Sequence, residues 1–198
     1  MSKLCYLAAM SLQADSPVRA SSPIVDPRFP VGNFIRPEGV TPELVAEAVE
    51  DLAGLPGHLR SAIEGLDDAK LDTPYRDGGW TVRHLVHHIA DSHINAYMRI
   101  KLALTEDLPT IKLYDEKAWA ELPDSTAAIA SSLELIESLH TRWVLLLRAL
   151  SPEQWHRAYL RPDRPGVPVS VETTALIYAW HSRHHVAHIT SLRARKGW

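Results

Sequence analysis

Residues 178–189 read YAWHSRHHVAHI, with histidines at 181, 184, 185 and 188. Residues 81–93 read TVRHLVHHIADSH and carry His84, His87, His88 and His93. Together the two windows hold eight of the chain's eleven histidines. In both, apolar residues recur at three- and four-residue spacing, which predicts amphipathic helices rather than strands. Imidazoles on facing helices of a bundle build a metal site from side chains alone. The two windows therefore predict a helical bundle with some of its histidines turned inward.

A wheel of 100° per residue sorts them. Around 178–189, Ile177, Tyr178, His181, His185, Ile189 and Leu192 share one face, while Ser182, Arg183, Thr190 and Arg193 lie away from it. His181 and His185, four apart in the middle of the stripe, can meet one ion. His188 falls at the edge and His184 further out. In the other window the apolar face runs through Val82, Leu85, Val86, Ile89, Ala96 and Ile100. His93 lies nearest its centre, His88 on its flank, and His84 and His87 largely opposite. Pattern alone leaves His93 and His88 both open as a third donor. A single core histidine is ordinarily a hydrogen-bonded structural residue, but two unpaired imidazoles on one apolar stripe would each cost about 1–3 kcal/mol. His58, His140 and His156 read as solvated surface.

Outward from these windows the rest of the chain also reads as helix. Thr41-Pro42-Glu43 has the form of a helix start, and Leu44, Val45, Ala48, Val49 and Leu52 form an apolar stripe. Pro56 predicts a kink, after which Leu59, Ile63 and Leu66 continue the pattern. A second helix follows Gly78-Gly79 with Thr81 as cap and runs to about residue 104. A third runs from about Asp124 to Leu150, through Leu133, Ile136, Leu139, Trp143 and Leu146. Ser151-Pro152-Glu153-Gln154 has the form of a capping box. The last helix starts near Ser170 and stops at Gly197. No run of strands stands out. The expected fold is all-α, a four-helix bundle whose long, proline-bearing connections demand crossovers rather than short up-down loops.

Composition narrows the function. With 198 residues, 45% apolar and 23% charged, the chain suits one soluble globular domain, here bounded at 31–198 after an irregular extension over 1–30. A net charge of −3 and the absence of any phosphate loop or basic motif argue against nucleic acid. No apolar run long enough to span a membrane occurs. The single cysteine, Cys5, cannot form an internal disulfide, which suits a reducing cytoplasm. Residues 1–12 weakly resemble a signal peptide but lack a small-residue cleavage site.

Four stretches then carry a resemblance. DTPYRDGGWTVRHLVHHIADSH (72–93), KLALTEDLPTIKLYDEKAWAELPDS (101–125), LHTRWVLLLRAL (139–150) and YAWHSRHHVAHI (178–189) resemble the YfiT branch of the DinB-like superfamily. The likeness covers roughly residues 30–198 in order and spacing, and leaves the first 25 or so without a counterpart. It implies a four-helix bundle, metal-dependent hydrolase activity, and a thiol S-transferase activity in related members. It also implies a cytoplasmic homodimer with one zinc or nickel ion per subunit. The family's ligands map onto His88, His181 and His185. The resemblance, not the periodicity, sets His93 aside.

Three neutral imidazoles around a divalent ion leave a coordination position free, as in catalytic rather than structural zinc sites. Such an ion lowers the pKa of a coordinated water toward about 7, or activates a thiol cosubstrate for transfer to an electrophile. Imidazole donors suit zinc and nickel alike. The leading expectation is a hydrolase acting on a small-molecule substrate. A thiol S-transferase of bacillithiol type comes next, and a metal-binding stress protein without turnover third. No firm general base is legible. Asp91 could orient His88 through a hydrogen bond, or be a solvated acid. His184 and His188 read as proton shuttles or as surface. Tyr75, Arg76 and Trp80 read as setting a helix start, with the lining of a pocket mouth as the alternative.

Overall fold

The computed structural model describes residues 26–198. Cys5, the signal-like stretch at 1–12 and most of the expected extension lie outside the described residues. Seven helices and one hairpin follow in order: α1 (Pro42–Ile63), α2 (Asp68–Leu71), α3 (Val82–Thr105), α4 (Glu116–Ala120), α5 (Ala130–Arg148), α6 (Pro152–Trp155), β1 (Ala158–Arg161), β2 (Arg164–Ser170) and α7 (Val171–Lys196). The long helices α1, α3, α5 and α7 make the bundle. None of the described helices is long and apolar enough to cross a membrane.

The helix starts follow from local chemistry. Thr41, Thr81 and Ser170 each accept a hydrogen bond from a backbone N–H of the first turn through their hydroxyl oxygens. Ser151 and Gln154 complete a reciprocal capping box at α6. Gly197, at φ 69°, takes the left-handed conformation that closes α7. α1 passes through Pro56 as one continuous helix. α5 starts at Ala130, later than expected, because Pro123–Thr126 form a separate 3-10 turn.

The expectation of no strands is corrected. β1 and β2 pair antiparallel, with Tyr159 opposite Val169, and Pro165 and Pro168 are carried by the exposed β2. Prolines disguise this segment as loop, yet an edge strand tolerates them. The hairpin is held from outside: Leu160 donates to the Pro109 carbonyl at 2.8 Å, and Ile111 donates to Leu160 at 3.0 Å.

α1 packs on α5 and α7, and α3 packs on the same two helices from the opposite side. Consecutive long helices α1 and α3 therefore sit diagonally, as do α5 and α7, and their connections cross an end of the bundle. That arrangement is why the connections are long. Arg83 braces one of them: its guanidinium donates to Asp72 at 2.6 Å and Asp68 at 2.8 Å, and to the Ala127 carbonyl at 3.2 Å.

Two apolar clusters fill the interior. One gathers Leu52, Ala96, Ile100, Trp143, Leu147 and Tyr178; the other Leu55, Leu59, Leu85, Ile89, Ile136 and Ile189. On every long helix a short interval separates the two sets; His93 of α3, His140 of α5 and the four histidines of α7 fall within it, with His88 one turn away on α3. The bundle is an apolar core with a layer of imidazoles across its middle.

Candidate metal centre

α3 and α7 present His88, His181 and His185 to one another. Nε2 of His181 lies 3.3 Å from Nε2 of His88 and 3.0 Å from Nε2 of His185. One donor atom from each ring lies within 4.8 Å of the others. Nitrogens held about 2.0–2.1 Å from a tetrahedral zinc stand about 3.3 Å apart, so the two spacings from His181 fit such an ion. The set contains only nitrogen donors, and three of them leave room for a further ligand.

Burial sets the protonation of these rings. His88 and His185 are buried and His181 is partly exposed. Loss of hydration pushes His88 down to about 4, and pushes His181 and His185 well below the usual imidazole range, with neighbouring histidines adding to the effect. The rings are neutral at physiological pH, which is the form that binds a metal. Trp80, from the turn before α3, tilts against His88 with ring centroids 4.7 Å apart.

His93 is fully buried, as the wheel indicates, and meets the three-ring cluster at the Nδ1 side of His181. Its Nε2 lies 3.0 Å from Nδ1 of His181 and its Nδ1 lies 2.9 Å from Nε2 of His140. The surface reading of His140 is corrected: the residue is 2% exposed and its Nδ1 donates to the Leu52 carbonyl at 2.7 Å. Its position on α5 faces the bundle interior between Ile136 and Trp143. His58 and His156 are exposed as expected.

His184 and His188 are likewise buried rather than on the surface. The segment before α1 covers them. Phe29 packs 6.2 Å from the His184 ring, Trp180 stacks on it at 4.5 Å, and Trp180 donates its indole N–H to the Gly32 carbonyl at 3.1 Å. Tyr75 stacks on His188 at 4.1 Å. Nε2 of His188 lies 3.3 Å from the Arg28 carbonyl, and its Nδ1 lies 3.4 Å from Nδ1 of His185. His184, His185 and His188 form a second trio of close donors that shares His185 with the first. Ser182, expected on the outer face, is buried and donates to the Tyr178 carbonyl at 2.7 Å. On α3, His87 is buried too, against Ser132 at 2.8 Å and the Ala127 carbonyl at 3.1 Å.

Among the described residues the Asp91 carboxylate makes no hydrogen bond to His88. The group is half-buried, and burial together with the Asp124 charge raises it to about 6. Tyr75, Arg76 and Trp80 play both parts considered for them. The Tyr75 N–H donates to the Trp80 carbonyl at 3.1 Å and the Val82 N–H to Thr73 at 3.2 Å, which sets the start of α3. The same residues line a cleft of about 600 Å³ together with Glu116 and Lys117 of α4.

Residues 52–189 match the family model of the DinB superfamily. The chain is 48% identical over 171 residues to a Bacillus subtilis (strain 168) protein whose name reads "Putative metal-dependent hydrolase YfiT", covering 86% of this chain and 96% of that one. A Bacillus cereus (strain AH820) protein named in the same terms is 49% identical over 173 residues, 87% of this chain and 99% of its own. The solved structure of Bacillus subtilis YfiT, described as having an unusual four-helix bundle topology, superposes with a TM-score of 0.83 at 47% identity. It spans 87% of this chain and 98% of that one.

Proposed function

The chain belongs to the DinB superfamily and is, by homology to YfiT, a metal-dependent hydrolase; from that premise we propose that His88, His181 and His185 hold one divalent cation through their Nε2 atoms. The observation that carries this reading is that Nε2 of His181 lies 3.3 Å from Nε2 of His88 and 3.0 Å from Nε2 of His185, with all three donors within 4.8 Å of one another, on rings kept neutral by burial. Zinc is the first choice of ion and nickel the second, since both accept imidazole nitrogen. An ion in such a setting supplies Lewis acidity and water made nucleophilic near neutral pH.

The chain's own residues do the remaining work. α3 and α7 bring the donors together from distant parts of the sequence. Trp80 packs on His88 and excludes water from that side of the site. His181 keeps partial exposure, so a small-molecule substrate approaches on its side.

Elemental analysis of the purified protein, paired with a panel of small esters and amides, tests the reading. About one zinc or nickel per chain is expected, with hydrolysis abolished by chelation and restored by the ion. His181→Ala or His185→Ala should each remove stoichiometric metal while far-ultraviolet circular dichroism keeps its helical form. Full metal retention in either variant refutes the ligand set. Turnover that depends strictly on an added low-molecular-weight thiol moves the assignment to the S-transferase class.

A further inference from the structure

Leu52 has a backbone carbonyl without a helical donor. Four residues later in the same helix stands Pro56, which has no N–H to offer. The carbonyl lies instead 2.7 Å from Nδ1 of His140. A carbonyl only accepts, so His140 carries its proton on Nδ1, and its neutral ring presents a lone pair at Nε2. That lone pair lies 2.9 Å from Nδ1 of His93, which must therefore be the donor. His93 then presents a lone pair at Nε2, 3.0 Å from Nδ1 of His181. His181 is left with its proton on Nδ1 and a bare lone pair on Nε2, the atom that faces His88 and His185.

A separate chain of contacts reaches His185. The Arg28 carbonyl, in the segment before α1, lies 3.3 Å from Nε2 of His188. That nitrogen carries the proton, so Nδ1 of His188 is the acceptor, 3.4 Å from Nδ1 of His185. His185 donates there and is left with a bare lone pair on Nε2. The two chains start from unrelated parts of the fold and reach the same result. They aim two lone pairs at each other across 3.0 Å, a repulsive arrangement that a shared cation relieves. In water the free side chain favours the opposite tautomer, so a ligand ring outside this setting would have to change tautomer on binding metal.

We propose that His93, His140 and His188 are positioning residues that lock His181 and His185 in the tautomer able to bind metal, the Leu52 and Arg28 carbonyls setting the direction of each chain. The proposal rests on the three-histidine reading of the metal centre. It also reads the trio His184, His185 and His188 as one end of a hydrogen-bond chain rather than a second cation site, because Nδ1 of His185 carries a proton.

The test uses the full chain labelled with ¹⁵N-histidine, and two-bond ¹H–¹⁵N spectra that report which ring nitrogen is protonated. In the zinc-free protein at neutral pH, His181 and His185 should both show the Nδ1–H pattern, unchanged when zinc is added. An Nε2–H pattern at either residue overturns the lock. His93→Leu should lower zinc affinity, measured against a competing chelator, by about 10–100-fold, and should move His181 toward Nε2–H. His93→Gln should recover to within a few-fold of the parent, because its carboxamide can accept from His181 and donate to His140. Unchanged affinity in His93→Leu, or equal loss in both variants, overturns the proposal. Should His93→Leu fail to fold, the parent spectrum and the same measurements on His188→Leu decide. Two zinc ions per chain, with His188 among the ligands, overturns the second chain. A parent protein that binds neither zinc nor nickel refutes the metal centre itself, whereas one that binds zinc through the other tautomer refutes only the lock.

Discussion

His93 and His140 show how far a single residue's role depends on its neighbours. The helical wheel places His93 at the centre of α3's apolar face, and it is indeed fully buried. Periodicity detects burial, though, and cannot tell a ligand from the residue behind a ligand. His140 has polar neighbours, Glu137 and Thr141 among them, and reads as surface when taken alone; its spacing from Ile136 and Trp143 puts it on α5's apolar stripe, and its contact with Leu52 shows it as interior. Burial holds His88 and His140 each down to about 4. An unfolded chain protonates its histidines at about 6.5. Since the folded values are the lower ones, the unfolded chain binds more protons between the two, and stability falls as pH drops from about 6.5 toward 4. The urea midpoint of the zinc-free protein should therefore decline between about pH 7.5 and 5. A flat midpoint across that range would show that these rings are not held neutral in the fold.

At the level of elements, the termini were the most legible features. Thr41, Thr81, Ser151 and Ser170 all cap helices where their side chains predict. The reason is that a cap is a local hydrogen bond that needs no tertiary partner. Ser170→Ala removes the acceptor for the Thr173 N–H, 3.2 Å away, and should cost about 1 kcal/mol in urea unfolding while leaving metal stoichiometry unchanged. A loss of metal in that variant would mean that the start of α7 is coupled to the site. The β hairpin was hidden for the converse reason. Its order comes from pairing across the turn and from Pro109 and Leu160, contacts no local pattern announces. α7 was misread on one side because a wheel assumes one buried face. Ser182, His184 and His188 are buried as well, since residues from other segments cover the remainder of the helix.

Across the whole molecule, the segment at 26–36 is a structural part of the site's surroundings. Its Arg28 and Gly32 carbonyls and its Phe29 ring all engage α7. A chain shortened to residues 37–198 should keep its helical circular dichroism, because the two apolar clusters lie within α1 to α7 and the residues between them. Its tryptophan emission should shift to the red as Trp180 loses the Gly32 carbonyl and the Phe34 ring, and its zinc affinity should fall with the Arg28 carbonyl. Unchanged emission would count against this packing.

The number of long helices, the caps of α1, α3 and α7 and the inward pair His181 and His185 could be read from residue order alone, because each depends on spacings of a few residues that the helical repeat converts directly into geometry; the start of α5, which has no side-chain cap, could not. The resemblance, also drawn from the sequence, supplied His88. Tertiary structure decided the diagonal placement of α1 and α3, the burial of His184 and His188, and the hydrogen-bonded contacts behind His181 and His185. Those features depend on which surfaces meet across dozens of residues. A spacing pattern holds no information about the partner on the other side.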